Sequence, residues 1–438
     1  HLICGDVASV DVEDGANGTS MRSILAEVTS PDRLVSITRY GKIMRIVAPG
    51  ADAYYLKAWP ESNIVDPADR FGRVIWKECA GEVQTPEEIF ALGMIVNGVC
   101  YAGSTPAHLQ AAIENMAGVT IPIPRFVESA AGDRVTNLAP HFYGRTITML
   151  SVFQDRLVVG SGGTVTMSKQ GEYFNFYRST TLTMPDNDVL RVSAAAADDD
   201  TLRKVTLHEM NLFVHGDKRH YMIPGRNPVT PSNVGMGVMW DVDNSSGCAP
   251  RSNGANLFIA KDELQVGATR LLQVQPGLYQ DIPQLQDVSQ QLRDYVNGFP
   301  AEMVTFLNPG AVFIRTEFIR KSRYGAPRSR PHGIYMYQYT DMGDQRVVDA
   351  WSAWEWSEHI GRPIGIAPAG FGDTLRIYTL VHGRNAQGSP VRSVLVLRAS
   401  IRPDPTGLPY LDAMQVGAIA EREGIFTSAA APAVQDQV

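Results

Sequence analysis

The sequence predicts a mainly β protein with some α structure, an irregular β-propeller-like domain behind a small α+β domain. Three observations carry that expectation. From residue 121 onward, short runs of β-branched and aromatic residues recur, each closed by Gly, Asn, Asp or Pro. The 39 Gly and 27 Pro are spread along the chain, so turns recur throughout. Hydrophobic residues make up 44% of the 438, ample apolar surface to bury against the entropy of ordering. At ~150 residues per domain the length suits roughly two to three domains. The texture places the small α+β domain at 1–120 and the propeller-like domain at 121–410. Residues 411–438 read as a tail or the start of a further segment.

In the first region, Thr19–Val28 carries Met21, Ile24, Leu25 and Val28 at helical spacing and predicts a short amphipathic helix. Lys42–Val47, Asp52–Trp59 and Arg73–Glu78 predict strands. Thr85-Pro86-Glu87-Glu88 and Thr105-Pro106 are both helix starts, a Thr cap followed by Pro at the first position. The second opens a helix with His108, Leu109, Ala112, Ile113 and Met116 on one side, stopping at Gly118. The most apolar stretch, Ala91–Ala102, is shorter than the ~18 residues of a membrane helix and reads as core. No membrane insertion or signal peptide is expected, and the opening His1 points to a processed or truncated start.

In the second region, Thr146–Val152, Arg156–Val159 and Thr164–Met167 predict a meander, with Gly160-Ser161-Gly162-Gly163 as a turn. Arg203–His215 and Arg219–Ile223 predict a hairpin around Gly216-Asp217. Asn256–Ala260, Ala311–Thr316, Gly333–Tyr339, Thr374–Val381 and Arg392–Arg398 predict further strands. The span is long for one sandwich and fits several propeller blades, irregular because no exact repeat is visible. Gln284–Asn297 interrupts as a helix, with Leu285, Val288, Leu292, Tyr295 and Val296 on its apolar side. Ala429–Val438 has no core signal.

The chain carries 39 Lys and Arg against 46 Asp and Glu, a net charge of −7, which argues against a dedicated nucleic-acid binder. Charged residues total only 19%, as in a lightly charged surface or one hidden in an assembly. GxSxG, GxxxxGK[ST] and GxGxxG are absent, and His208-Glu209 lacks the second His of a zinc protease. Cys4, Cys79, Cys100 and Cys248 form no CxxC pair and read as buried or idle thiols. No catalytic residue, metal site or cofactor is therefore expected. Asp186-Asn187-Asp188 reads as an Asx-type turn before a calcium loop, since the Gly and distal Glu of an EF-hand are missing. Asp198-Asp199-Asp200 reads as a solvated loop or an acidic surface. Arg315 to Arg330 is the one basic concentration, and Arg320, Lys321, Arg323 and Arg328 are candidates for contact with a neighbouring chain rather than with nucleic acid. Trp351-x-x-Trp354-x-Trp356 suits core packing, with sugar stacking as the alternative.

One block stands out: Gly132-Asp133, then Thr136-Asn137, Pro140, Phe142-Tyr143 and Gly144. It resembles a block of the tail tubular protein B, or tail nozzle, family of short-tailed bacteriophages. The similarity continues through Arg156, Ser168, Phe174-Asn175-Phe176, Asp186 and Asp188, Thr230-Pro231, and Trp351 and Trp354. Upstream, Tyr54-Tyr55-Leu56-Lys57 and Trp76-Lys77-Glu78 resemble its paired strands. Val189-Leu190-Arg191 departs from the family pattern after the acidic turn. Residues 79–119 look like an insertion, and the chain stops where family members run on into further β domains. The resemblance implies a structural virion-tail subunit, assembled in the host cytoplasm, with a propeller-like platform. It implies a homo-oligomer, a hexameric ring, around the channel through which double-stranded DNA passes without specific binding. Its implied partners are a tail adaptor protein and tail fibres or spikes, with 1–120 as a fibre-docking region. The alternative is a β-propeller that binds or cleaves glycans through Asp186, Asp188 and Trp354. A cytosolic propeller scaffold is the third class.

Overall fold

The structure, a computed structural model, describes residues 26–62, 70–85, 89–194, 199–245, 247–275, 283–292, 295–307, 310–317, 333–342, 345–355, 361–370, 376–384, 387–398, 418–419 and 426–427. Contacts divide the chain into two compact units, 1–193 with 227–235 and 194–226 with 236–438. The boundary expected between 120 and 121 falls inside the first unit.

The first unit opens with strands β1 (Glu27–Val28), β2 (Ile37–Arg39), β3 (Ile43–Ile46), β4 (Tyr54–Pro60) and β5 (Phe71–Glu78). They form one sheet in the order β1-β3-β4-β5-β2. β1 is parallel to β3, and the other pairs are antiparallel. Alternation turns Met44, Ile46, Leu56, Ala58 and Val74 inward, where they are buried. Glu27–Val28 is thus a strand, not the end of a helix; residues 19–25 of the expected Thr19–Val28 helix lie outside the described residues.

Next come β6 (Leu92–Val96) and β7 (Val99–Gly103), a hairpin on Asn97-Gly98, both at positive φ as its two-residue turn requires. The apolar stretch is therefore two strands, and residues 86–88 of the helix start expected at Thr85 lie outside the described residues. The hairpin packs Val96 and Tyr101 against Leu109 and Ile113 of α1 (Pro106–Ala117). Thr105 accepts the His108 amide at 3.2 Å, and Gly118 ends the helix in the left-handed region. Met116 is exposed rather than on the packed side. A meander completes the unit: β8 (Met149–Phe153), β9 (Arg156–Ser161), β10 (Thr164–Met167) and β11 (Leu190–Ser193). Gly160 and Ser161 belong to β9, so the turn before β10 is Gly162-Gly163 alone.

The second unit repeats the meander. β12 (Leu202–His208), β13 (Asn211–Gly216), β14 (His220–Ile223) and β15 (Gly237–Trp240) form one four-stranded sheet. β16 (Arg251–Asn253), β17 (Asn256–Glu263), β18 (Ala268–Gln275) and β19 (Gln284–Asp287) form the next. β20 (Phe299–Phe306), β21 (Ala311–Glu317), β22 (Gly333–Met342) and β23 (Gln345–Glu355) form a third. β24 (Arg362–Ala369), β25 (Arg376–Arg384) and β26 (Pro390–Arg398) form a three-stranded fourth. Four-stranded antiparallel meanders in series are the building unit of propeller blades.

Apolar runs explain how these sheets stack. In β17, Leu257 and Ile259 pack with Phe213 and Trp240 on one side, while Phe258 and Ala260 pack with Val312 and Ile314 on the other. In β21, Ala311 and Phe313 then face Ile366 and Ile377. A strand buried on both faces needs an unbroken apolar run. Two expectations are corrected here. Arg203–His215 is not one strand but two, turning at Glu209-Met210 with φ of 45° and 65°. The helix expected from Gln284 instead begins as a strand: Gln284–Asp287 completes the sheet beside β18, with Leu285 opposite Val274, and Gln290–Leu292 is a single 3-10 turn.

Candidate functional site

The family-type residues of the first unit converge on one junction of loops. Arg156 opens β9 and is buried. Its guanidinium donates to the carbonyls of Ser168 (2.9 Å), Asp186 (3.0 Å), Asp188 and Val229 (3.4 Å). Burial pushes its pKa down, and the nearby Asp188 opposes that. Four carbonyls from three separate segments thus share one planar fork, which a single-point ammonium would not match. Ser168 is fully buried and its Oγ accepts the Leu157 amide at 2.9 Å.

Asp188 closes the acidic turn, its amide donating to Pro185 O at 3.1 Å. Its carboxylate is buried; Oδ1 accepts the Ser179 amide at 3.1 Å, and the Arg178 guanidinium stands 3.9 Å from Oδ2. Pro185–Asp188 is thus a turn closed main chain to main chain, and the Asp188 carboxylate bonds away from it to Ser179 rather than within an Asx-type turn. Groups of three or more metal-ligating side chains are absent among the described residues. Thr230 and Pro231 follow Val229 in a turn in which the Asn233 side chain accepts the Thr230 amide at 2.7 Å.

The Gly132–Gly144 block fastens this junction to the five-stranded sheet. Asp133 Oδ2 accepts the Tyr55 phenol at 2.6 Å, and Oδ1 accepts the amides of Val135 and Thr136. The phenol bond chiefly, with the Thr136 and Val135 amides, holds the Asp133 carboxyl at about 2 against the opposing effect of burial. Gly132 has φ +68°, and a Cβ there would lie 2.6 Å from Thr136 Oγ1. Its carbonyl accepts the Gly81 amide at 2.8 Å. Asn137 is fully buried; its Nδ2 donates to the carbonyls of Ala131 and Arg178, and its Oδ1 accepts the Arg178 amide. Pro140 is buried, and Gly144 takes φ +66°. Behind them Phe142 meets Phe176 edge-on at 5.0 Å, and Phe126 meets Phe174 at 5.1 Å. The Asn175 side chain donates to Glu172 and accepts the Tyr177 amide.

Sequence reasoning missed the role of several members of this network, Glu78 having been singled out only as part of a paired-strand resemblance. Glu78, at the end of β5, accepts from the Thr180 hydroxyl and from the Thr181 amide and hydroxyl. Gln84 Nε2 donates to Asn137 O at 2.7 Å, and its backbone amide donates to Ser129 Oγ at 2.8 Å. These pairs are 45 to 103 residues apart, beyond any local pattern.

Trp351 and Trp354 sit elsewhere, on opposite sides of β23 in the second unit. Trp351 tilts against Tyr337 at 5.0 Å and donates to Val288 O, while Trp354 meets Phe313 edge-on at 5.6 Å. Of the residues needed for the glycan reading, Asp188 is thus buried and Trp354 is half-buried against Phe313. His208 is buried and shares a 2.8 Å hydrogen bond with Ser252. Cys79, Cys100 and Cys248 are free thiols. Arg320, Lys321, Arg323 and Arg328 lie outside the described residues.

A family model for the bacteriophage nozzle protein matches residues 4–362. The chain belongs to that family. Over 232 residues it is 21% identical to the tail tubular protein gp12 of Escherichia phage T7, a match covering 53% of this chain and 28% of that protein. The chain thus spans little more than a quarter of the curated relative it matches. Nozzle proteins are structural components of the phage tail, not enzymes. Among solved structures, a chain of an S. cerevisiae Dbp5 complex with Nup159, Gle1, IP6 and ADP is similar at 10% identity and TM-score 0.35, covering 74% of both chains. The Neurospora crassa Pan2 WD40 domain is similar at 10% identity and TM-score 0.30, covering 59% of this chain and 64% of that one.

Proposed function

We propose that this chain is a wall subunit of the tail nozzle, copies of which close into a six-membered ring around the DNA-ejection channel. Family membership over residues 4–362 is the observation that carries the reading. The physical properties support it. Stacked antiparallel sheets with loops tied by buried hydrogen bonds make a stiff wall element. A net charge of −7 suits a conduit for a polyanion, since tight phosphate binding would slow passage. A ring of identical subunits needs a head-to-tail interface, in which two different patches meet. In this reading the ring docks a tail adaptor protein on one side and carries tail fibres or spikes, the latter on the region 1–120. Arg320, Lys321, Arg323 and Arg328 contact a neighbouring chain. Purified tails tested with an antibody to this chain check the placement: label at the tail supports it, and label confined to unassembled protein contradicts it.

A further inference from the structure

The five-stranded sheet of the first unit has a second face. Outward on it point Ile37 and Arg39 of β2, Ile43 and Arg45 of β3, Lys57 and Trp59 of β4, and Arg73, Ile75 and Lys77 of β5. Trp59 is 46% exposed, Ile37 42%, Ile75 41% and Ile43 40%. Register makes them one patch, with Trp59 opposite Ile75, Ile43 opposite Lys57, and Ile37 opposite Arg73. Isolated surface apolar residues are ordinary, whereas a contiguous set on one sheet face marks an interaction site.

The charge of the patch is the reverse of the chain's. Arg39, Arg45, Lys57, Arg73 and Lys77 all stand here; among the described residues two carboxylates meet this face at its Arg45 end, Glu27, which pairs with Arg45 at 3.1 Å, and Asp133, which accepts the phenol of Tyr55 opposite Arg45. The chain as a whole has 46 Asp and Glu against 39 Lys and Arg, so its remaining surface is more acidic than the total suggests. The chain itself therefore carries the excess of carboxylates that a complementary surface needs. Complementary potentials on two different patches are what a head-to-tail contact requires.

We propose that this face is one half of the contact between neighbouring copies, with Trp59 as its apolar anchor and Lys57, Arg73 and Lys77 receiving carboxylates of the next copy. The proposal rests on the ring reading above and names its surface. Nucleic acid fits less well. Lys57 and Lys77 already lie over the Trp59 ring at 5.4 and 5.9 Å, which blocks a base from stacking there. Branched isoleucines between the cations suit a protein partner, where tryptophan and arginine anchor interfaces.

The test uses the full chain, mixed from light and 15N-labelled copies, and tails isolated from particles. A carboxyl-to-amine cross-linker should join Lys57 or Lys77 of one copy to an Asp or Glu of the other isotope. The combined variant Lys57→Glu, Arg73→Glu, Lys77→Glu should need at least tenfold more protein to associate at low salt, with an unchanged melting temperature. Trp59→Ala should weaken association at low and at high salt. The face assignment is overturned if the charge-reversed chain associates like the parent. It is equally overturned if the lysines cross-link to a different tail protein, or if DNA alone shields them from acetylation. Rings in tails whose Lys57 and Lys77 stay open to acetylation sink this face and leave the ring standing. A chain that is single in tails sinks both.

Discussion

Replacing Arg156 by Met keeps most of the side-chain volume and removes every donor at the loop junction. Three of the four bonds lost, to Ser168, Asp186 and Asp188, are 3.0 Å or shorter. Charge-assisted bonds contribute ~1.5 kcal/mol each at the low end, so their loss costs about 4–5 kcal/mol. Removing a buried guanidinium also removes its desolvation penalty, which returns roughly 1–2 kcal/mol. The net is a local destabilisation of about 3 kcal/mol, a fall of over a hundredfold in the protection of amides held by the junction. The amides of Leu157, Ser168 and Asp188, bonded to Ser168 Oγ, Leu157 O and Pro185 O, report it by native-state hydrogen exchange. Arg156→Lys keeps the charge without the fork and should fall between parent and Met variant. Unchanged protection in the Met variant, within about threefold, would refute the junction as the element that orders these loops.

Two further predictions concern the Gly132–Gly144 block. The Asp133 carboxyl sits at about 2, below its usual 3.8, so its contribution to stability is present above about pH 4 and lost as pH falls toward 2. Asp133→Asn should flatten the acid limb of stability in that window, as measured by denaturant midpoints at stepped pH; parallel pH profiles would contradict the assignment. Gly132→Ala meets both a positive φ and a Thr181 Cγ2 atom 2.7 Å away. It should cost ~1–3 kcal/mol, read from the urea midpoint of the full chain, and an unaffected midpoint would show that the backbone there relaxes freely.

Much of the β architecture was legible because solvent-facing alternation and buried apolar runs are local signals. Thr164–Met167 and Pro106–Ala117 came out at their expected places for that reason. The turns that were missed were missed for a chemical reason. Glu209-Met210 turns a hairpin in the left-handed region with residues that seldom go there, so nothing in the sequence broke Arg203–His215. At Gln284–Asn297 the apolar spacing fits a helix, but the free edge of β18 offered hydrogen bonds that a strand could use, and pairing overrode periodicity. The junction was half legible. The family resemblance singled out Gly132, Asp133, Asn137, Arg156, Asp188 and Glu78 without saying what they touch, whereas Gln84 and Arg178 enter the junction only through tertiary folding. The basic outward face of the small sheet could be read only after register had placed Lys57, Arg73 and Lys77 on one side.

The sharpest trial of the wall-subunit account is electron microscopy of intact tails, averaged without imposed symmetry, with this chain located by a bound antibody fragment. The account predicts six equivalent densities circling an open axial channel, each holding the stacked sheets. A single copy off the axis, or a closed disc with no passage for DNA, would contradict it.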